Sequence, residues 1–319
     1  MSDASLDIAY ERAGPVPALS VDAESALPVS GQAKDYVALL KPRVMSLVVF
    51  SGFAGLLVAP GEIHPFLAAV AVLCIAVGSG AAGAINMWYD RDIDAIMTRT
   101  RGRPIPMGKV PASEALSFGI ILSAFSVALM ALAVNWVAAG LLGAAILFYV
   151  FVYTMGLKRR TPQNIVIGGA AGAFPPLIGW AAVTGDVTIE PLVLFALIFF
   201  WTPPHFWALA LYRRGDYQKA SIPMLPVVAG ARATKKQMIA YTAILLPLGL
   251  MPWWLGMTGI SYAIAAFVLG AIFLAASISV WFDQTDRSAK RMFGYSIFYL
   301  FALFGALVVD STVFTALAG

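Results

Sequence analysis

The sequence predicts an all-α integral membrane protein, nine helices crossing the bilayer as one bundle, with the N-terminus cytoplasmic and the C-terminus outside. Three observations predict it. Of 319 residues, 60% are apolar and only 12% charged, and the mean hydropathy is +0.83. A soluble domain carries about 25% charged residues, so this chain cannot cover a water-facing surface. The apolar residues collect into nine stretches, near 38–58, 66–88, 115–134, 137–156, 164–183, 191–211, 238–255, 259–281 and 293–315. Most approach the ~20 residues that a spanning helix needs. Finally, all 21 lysines and arginines fall in the N-terminal tail, at the start of the first stretch, or in the second, fourth, sixth and eighth connections. The other connections and the C-terminal end hold only Glu62, Asp186, Glu190 and Asp310. Cytoplasmic loops collect basic residues, which sets the orientation.

Residues 1–35 are polar and acidic, with Asp3, Asp7, Glu11, Asp22 and Glu24, and read as a solvated tail. They lack the features of a signal peptide and of an arginine-rich transit peptide, which favours a bacterial inner membrane over a mitochondrion. A single transmembrane domain follows over 36–319, opened by Lys41 and Arg43. The second and sixth connections are the long ones, about 26 residues each, and both contain Ile-Pro-Met, at 105–107 and 222–224. This suggests two copies of a four-helix unit. The net charge of +4 follows membrane topology and gives no reason to expect a nucleic acid. Cys74 is the only cysteine, so neither a disulfide framework nor a cysteine-based metal site is available.

The sharpest chemical feature is Asn86-Met-Trp-Tyr-Asp90-Arg-Asp92-Ile-Asp94. On a helix, Asn86, Asp90 and Asp94 form one stripe of oxygens at the cytoplasmic end of the second stretch. Asp92 points elsewhere. Stacked carboxylates repel and are costly near a membrane. A magnesium ion, which takes a few carboxylates plus waters and substrate phosphates, would offset both costs. A solvated helix end paired with nearby arginines is the plain alternative. Tyr212 and Asp216, one turn apart, end the sixth stretch in the same position, with His205 and Trp201 further into the membrane. Pro203-Pro204 should kink that helix. Arg99, Arg101, Arg103, Lys158 and Arg159 have the donors to hold a diphosphate, although topology alone also explains a basic loop. His205, the only intramembrane histidine, is a candidate iron ligand or hydrogen-bond donor, or a packing residue. Gly168-Gly169-Ala-Ala-Gly172 reads as close helix packing.

With these motifs in view, the chain resembles the intramembrane prenyltransferases of the UbiA superfamily, over residues 36–319. Longer stretches narrow the resemblance: Leu40-Lys-Pro-Arg-Val44, Arg101-Gly-Arg-Pro104, Tyr153-Thr-Met-Gly-Leu-Lys-Arg159, Trp201-Thr-Pro-Pro-His-Phe-Trp207 and Asp216-Tyr-x4-Ile-Pro-Met-Leu-Pro226. They are similar to the haem-farnesylating branch. The resemblance implies a nine-helix bundle, farnesyl diphosphate as donor, haem b as acceptor and haem O as product. It implies Mg2+ held by Asn86, Asp90, Asp94 and Asp216. Substrate contacts would come from Lys41, Arg43, Arg101, Arg103, Lys158, Arg159, His205 and Tyr212. It also implies a downstream haem A synthase or haem-copper terminal oxidase as the consumer of the product. Many superfamily members carry more acidic residues in the second motif than this chain does. Two rivals stand beside this reading. One is a prenyltransferase acting on an aromatic quinone precursor. The other is a transporter, which should place polar groups toward both sides of the membrane, whereas here they gather at one.

Overall fold

A computed structural model describes residues 31–318, with side chains through residue 312. The expected tail therefore lies outside the described residues up to residue 30. Its last residues are already helical: α1 (Ala33–Leu39) begins there, and Asp35 accepts a hydrogen bond from the Gln32 amide at 3.2 Å. The first apolar stretch is broken, because α1 meets α2 (Pro42–Val58) at 56°. Two local causes combine. Pro42 has no N–H to continue the helix, and Lys41 sits in the left-handed region at φ 53°, ψ 54°.

The remaining elements follow the apolar pattern closely. They are α3 (Pro65–Tyr89), α4 (Arg91–Ile96), α5 (Ala112–Ala133), α6 (Trp136–Leu147), α7 (Asn164–Thr184) and α8 (Ile189–Tyr212). After these come α9 (Arg214–Lys219), α10 (Leu225–Val228), α11 (Gly230–Trp254), α12 (Ile260–Phe282) and α13 (Arg287–Ala318). A π-helical segment, Phe148–Leu157, continues α6 to complete the fourth stretch. The chain is thus a multi-pass membrane protein. Nine spans were expected, and among the described residues seven helices are long and apolar enough to cross a bilayer. The broken α1–α2 pair makes an eighth if counted as one span. The stretch at 238–255 lies on α11, which is 25 residues long and holds Pro247 and Pro252 inside the helix, and it is not among those seven. The expected kink at Pro203-Pro204 does not interrupt α8 as a helical element.

Side chains divide the bundle into two cores. One packs α8 against α11–α13 around Trp207, Tyr262, Phe273, Tyr299 and Phe304. The other packs α3, α5, α6 and α7 around Ile75, Met130, Leu142 and Ile178. Small residues join them. A Cβ on Gly179 of α7 would lie 2.0 Å from the carbonyl oxygen of Gly52 on α2, and one on Gly55 would lie 2.2 Å from that of Pro176. This closest approach was not the one read from the sequence. Gly168 instead makes room for the Tyr153 ring, Gly169 for Thr202, and a Cβ on Gly172 would meet nothing within 4 Å.

The suggested repeat is visible in the elements. A long helix, α3 or α8, ends at a single junction residue, Asp90 or Arg213, and a six-residue helix follows. The two long connections then pack on each other. Ile93 and Met97 from one share a buried cluster with Tyr217, Ile222 and Met224 from the other.

Candidate active site

Asp90 caps the end of α3 and the start of α4, so the acidic stripe crosses a helix break. The break does not change its register. The Asp90 amide donates to the Asn86 carbonyl at 2.9 Å, and the Asp94 amide to the Asp90 carbonyl at 2.8 Å. Asn86, Asp90 and Asp94 therefore stay one turn apart, and all three are buried, Asp90 completely.

Cations from three other elements converge on this stripe. Lys41 Nζ donates to Asn86 Oδ1 at 2.9 Å, which gives its left-handed backbone a purpose. Such a conformation costs about 1–3 kcal/mol, and it turns the lysine back toward α3. Asn86 Nδ2 donates onward to Asp90 at 2.7 Å and to Thr154 at 3.2 Å. Lys158 pairs with the same Asp90 oxygen that Asn86 meets. Arg159 reaches Asp90 at 3.3 Å and grips Asp92 in a two-point contact at 2.6 and 2.7 Å. Arg103 pairs with Asp94 at 2.6 Å. Four basic side chains thus meet three carboxylates. The Arg159 contact holds the Asp92 carboxyl below the usual carboxylate range, and Asp92 in turn raises the guanidinium.

The π-helical segment delivers the lysine and arginine. Its wider turn is marked by bonds to the fifth residue back, Thr154 Oγ1 to the Tyr149 carbonyl at 2.8 Å and the Lys158 amide to the Tyr153 carbonyl at 2.9 Å. Such turns are frequent at functional sites. No feature of the sequence announced it, and Thr154 entered only as part of the Tyr153–Arg159 motif.

Tyr153 lies in electrostatic reach of Asp90 from the first motif and of Arg99 and Tyr217 from the two long connections. Arg99 hydrogen-bonds Tyr217, whose hydroxyl burial pushes up. Asp216 Oδ2 is buried with no hydrogen-bond partner. Tyr212 stands edge-on to Phe293 at 6.2 Å. His205 Nδ1 lies 2.6 Å from Ser296 Oγ. Arg43 and Arg101 are exposed, and the structure does not bring them into the cluster.

Among the described residues, no three of His, Cys, Asp and Glu converge as a ready-made metal site. The donors fit an ion that needs only one or two carboxylates and completes its shell with water and phosphate. The orphaned Asp216 oxygen is the observation in favour, since a buried carboxylate oxygen without a partner is costly.

A family model described as the UbiA prenyltransferase family matches residues 48–305. The chain belongs to that family. It is therefore of a prenyltransferase line, and the transporter reading falls. It is 58% identical to the protoheme IX farnesyltransferase of Rhizobium rhizogenes over 306 residues, 95% of this chain and 96% of that one. It is 61% identical to the protoheme IX farnesyltransferase of Parvibaculum lavamentivorans over 284 residues, 88% and 89% of the two chains. Among solved structures, the fold matches a digeranylgeranylglyceryl phosphate synthase with a TM-score of 0.73 at 20% identity, covering 87% of this chain and 98% of that one. A UbiA homologue from Archaeoglobus fulgidus bound to DMAPP and Mg2+ matches with a TM-score of 0.61 at 19% identity, covering 86% and 99%. These structural likenesses establish the fold of the prenyltransferase.

Proposed function

We propose that this prenyltransferase moves the farnesyl group of farnesyl diphosphate onto a vinyl group of haem b, with addition of water, giving haem O and diphosphate. The observation that carries the reading is the near-full-length identity to protoheme IX farnesyltransferases. The buried cluster around Asp90 supports its diphosphate half. Nine spans, with the clustered loops cytoplasmic, and a bacterial inner membrane complete the proposal. A haem A synthase or haem-copper oxidase would consume the product.

Asp90 and Asp94, with Asn86 and Asp216, would hold magnesium, which when bound neutralises diphosphate charge and so favours its departure. Lys158, Arg159, Arg103 and Lys41 are pre-placed donors for the charge that gathers on the leaving oxygens. Breaking the carbon–oxygen bond leaves an allylic cation. The haem vinyl group supplies the electron pair for the new carbon–carbon bond, water then adds to the resulting cation, and a proton is released. Burial of Asp90 and Asp94 beneath the packed loops keeps bulk water from the cation before the vinyl group reaches it. No strong general base is needed.

The test is turnover by purified protein with haem b, farnesyl diphosphate and magnesium, read by chromatography and mass spectrometry. Haem O is expected. Unchanged haem b together with farnesylation of an aromatic acid would instead identify a quinone-precursor enzyme.

A further inference from the structure

His205 of α8 and Ser296 of α13 form a pair that the diphosphate chemistry does not use. The Ser296 hydroxyl lies 2.6 Å from His205 Nδ1 and also 2.6 Å from the Phe293 carbonyl oxygen. A serine hydroxyl has one proton, and a carbonyl can only accept. The Ser296 hydroxyl donates to the Phe293 carbonyl, and we assign it accordingly as the acceptor at the histidine. Nδ1 must carry the imidazole proton, which leaves the lone pair on Nε2.

Every other side of the ring is occupied. Trp201 stacks at 4.4 Å and Phe293 at 4.6 Å, and two rings stacked this closely take opposite faces. Trp201 Nε1 donates to the Ser296 carbonyl at 2.8 Å, so α13 fixes both the histidine and the ring against it. His205 is 8% exposed. Its Nε2 makes no hydrogen bond among the described residues, yet it is absent from the sealed, orphaned atoms of the interior. A lone pair held in one orientation at an accessible nitrogen, on an ionisable side chain inside the membrane, is placed to bind a ligand. A neutral imidazole held by a hydrogen bond at its other nitrogen is the usual arrangement of a metal ligand, and haem iron accepts an axial imidazole.

We propose that His205 Nε2 ligates the iron of the haem acceptor, and that Ser296 is the positioning residue that sets its tautomer and orientation. The inference rests on haem b being the acceptor. It seats the haem one aromatic ring from the second acidic motif, since Phe293 touches both His205 and Tyr212.

Ferrous haem b alone, without farnesyl diphosphate, bound to the full chain in lipid nanodiscs should give an iron–histidine stretching band in resonance Raman spectra. His205→Gly should lose the band and regain one on addition of imidazole, which separates a missing ligand from a misfolded protein. Ser296→Ala should keep the band at lower frequency and bind haem about 10-fold more weakly, and Ser296→Thr should restore both. A band that survives His205→Gly without imidazole overturns the ligation, as does bound haem with no band. A Ser296→Ala spectrum and affinity equal to wild type overturn the positioning role. Haem O made by a protein whose haem shows no band would sink this inference and leave the proposed reaction standing. Farnesylation of an aromatic acid with no haem bound would sink both.

Discussion

Asp90 shows how much one residue carries here. Its carboxylate is wholly buried and receives Asn86, Lys158 and Arg159. Asp90→Ala should lower haem O formation by about 100-fold or more, the usual scale for removing a group that stabilises transition-state charge. Intact haem-binding spectra would show that the loss is chemical. Lys158→Met asks the reverse question. It leaves a buried carboxylate without its nearest cation, which costs about 3–5 kcal/mol. Thermal unfolding should register that loss, and Asp90→Asn in the same chain should recover part of it through their coupling. The acidic stripe was legible because a period of four on a helix is a local property. Lys41 was legible as a charge, but its left-handed backbone and its grip on Asn86 were not.

Among the elements, α2 and α7 approach until backbone meets backbone. Gly179→Ala would place a methyl group 2.0 Å from the Gly52 carbonyl oxygen. A backbone atom cannot swing aside, so the helices must part at a cost of about 1–3 kcal/mol, read as a lower melting temperature in detergent. Gly172→Ala, which meets nothing within 4 Å, should melt like wild type. The Gly-xxx-Gly pattern drew attention to α7, but only the packed helices reveal which glycine is needed. The turn from α12 into α13 is held by Asp283, which accepts from the Thr285 and Ser288 amides at 2.7 and 2.8 Å. Those bonds hold its carboxyl well below the usual range. Its stabilising contribution is therefore complete above the ordinary carboxylate pKa of about 4 and fades as pH falls through the lower folded value. Melting temperature measured from pH 6 down to pH 3 should fall less steeply in Asp283→Asn than in wild type.

At the scale of the whole molecule, the long connections that carry the two motifs pack together through Ile93, Met97, Tyr217, Ile222 and Met224. Magnesium removal by a chelator should abolish turnover, and added magnesium should restore it. Reporter fusions test the orientation: a cytoplasmic reporter should be active in the second or sixth connection, and a periplasmic one after the last helix.

The sequence by itself determined the membrane class, the bounds of most long helices to within a few residues, and the acidic stripe. All three depend on composition and on spacing along a single helix. Its long motifs also carried the family. The tertiary structure decided which cations reach the carboxylates, leaving Arg43 and Arg101 outside, and it alone supplied the π-helical turn that brings in Lys158. It also paired His205 with Ser296, which lies 91 residues along the chain. No local pattern encodes these, because each depends on where a distant helix is stopped by the side chains and glycines it meets.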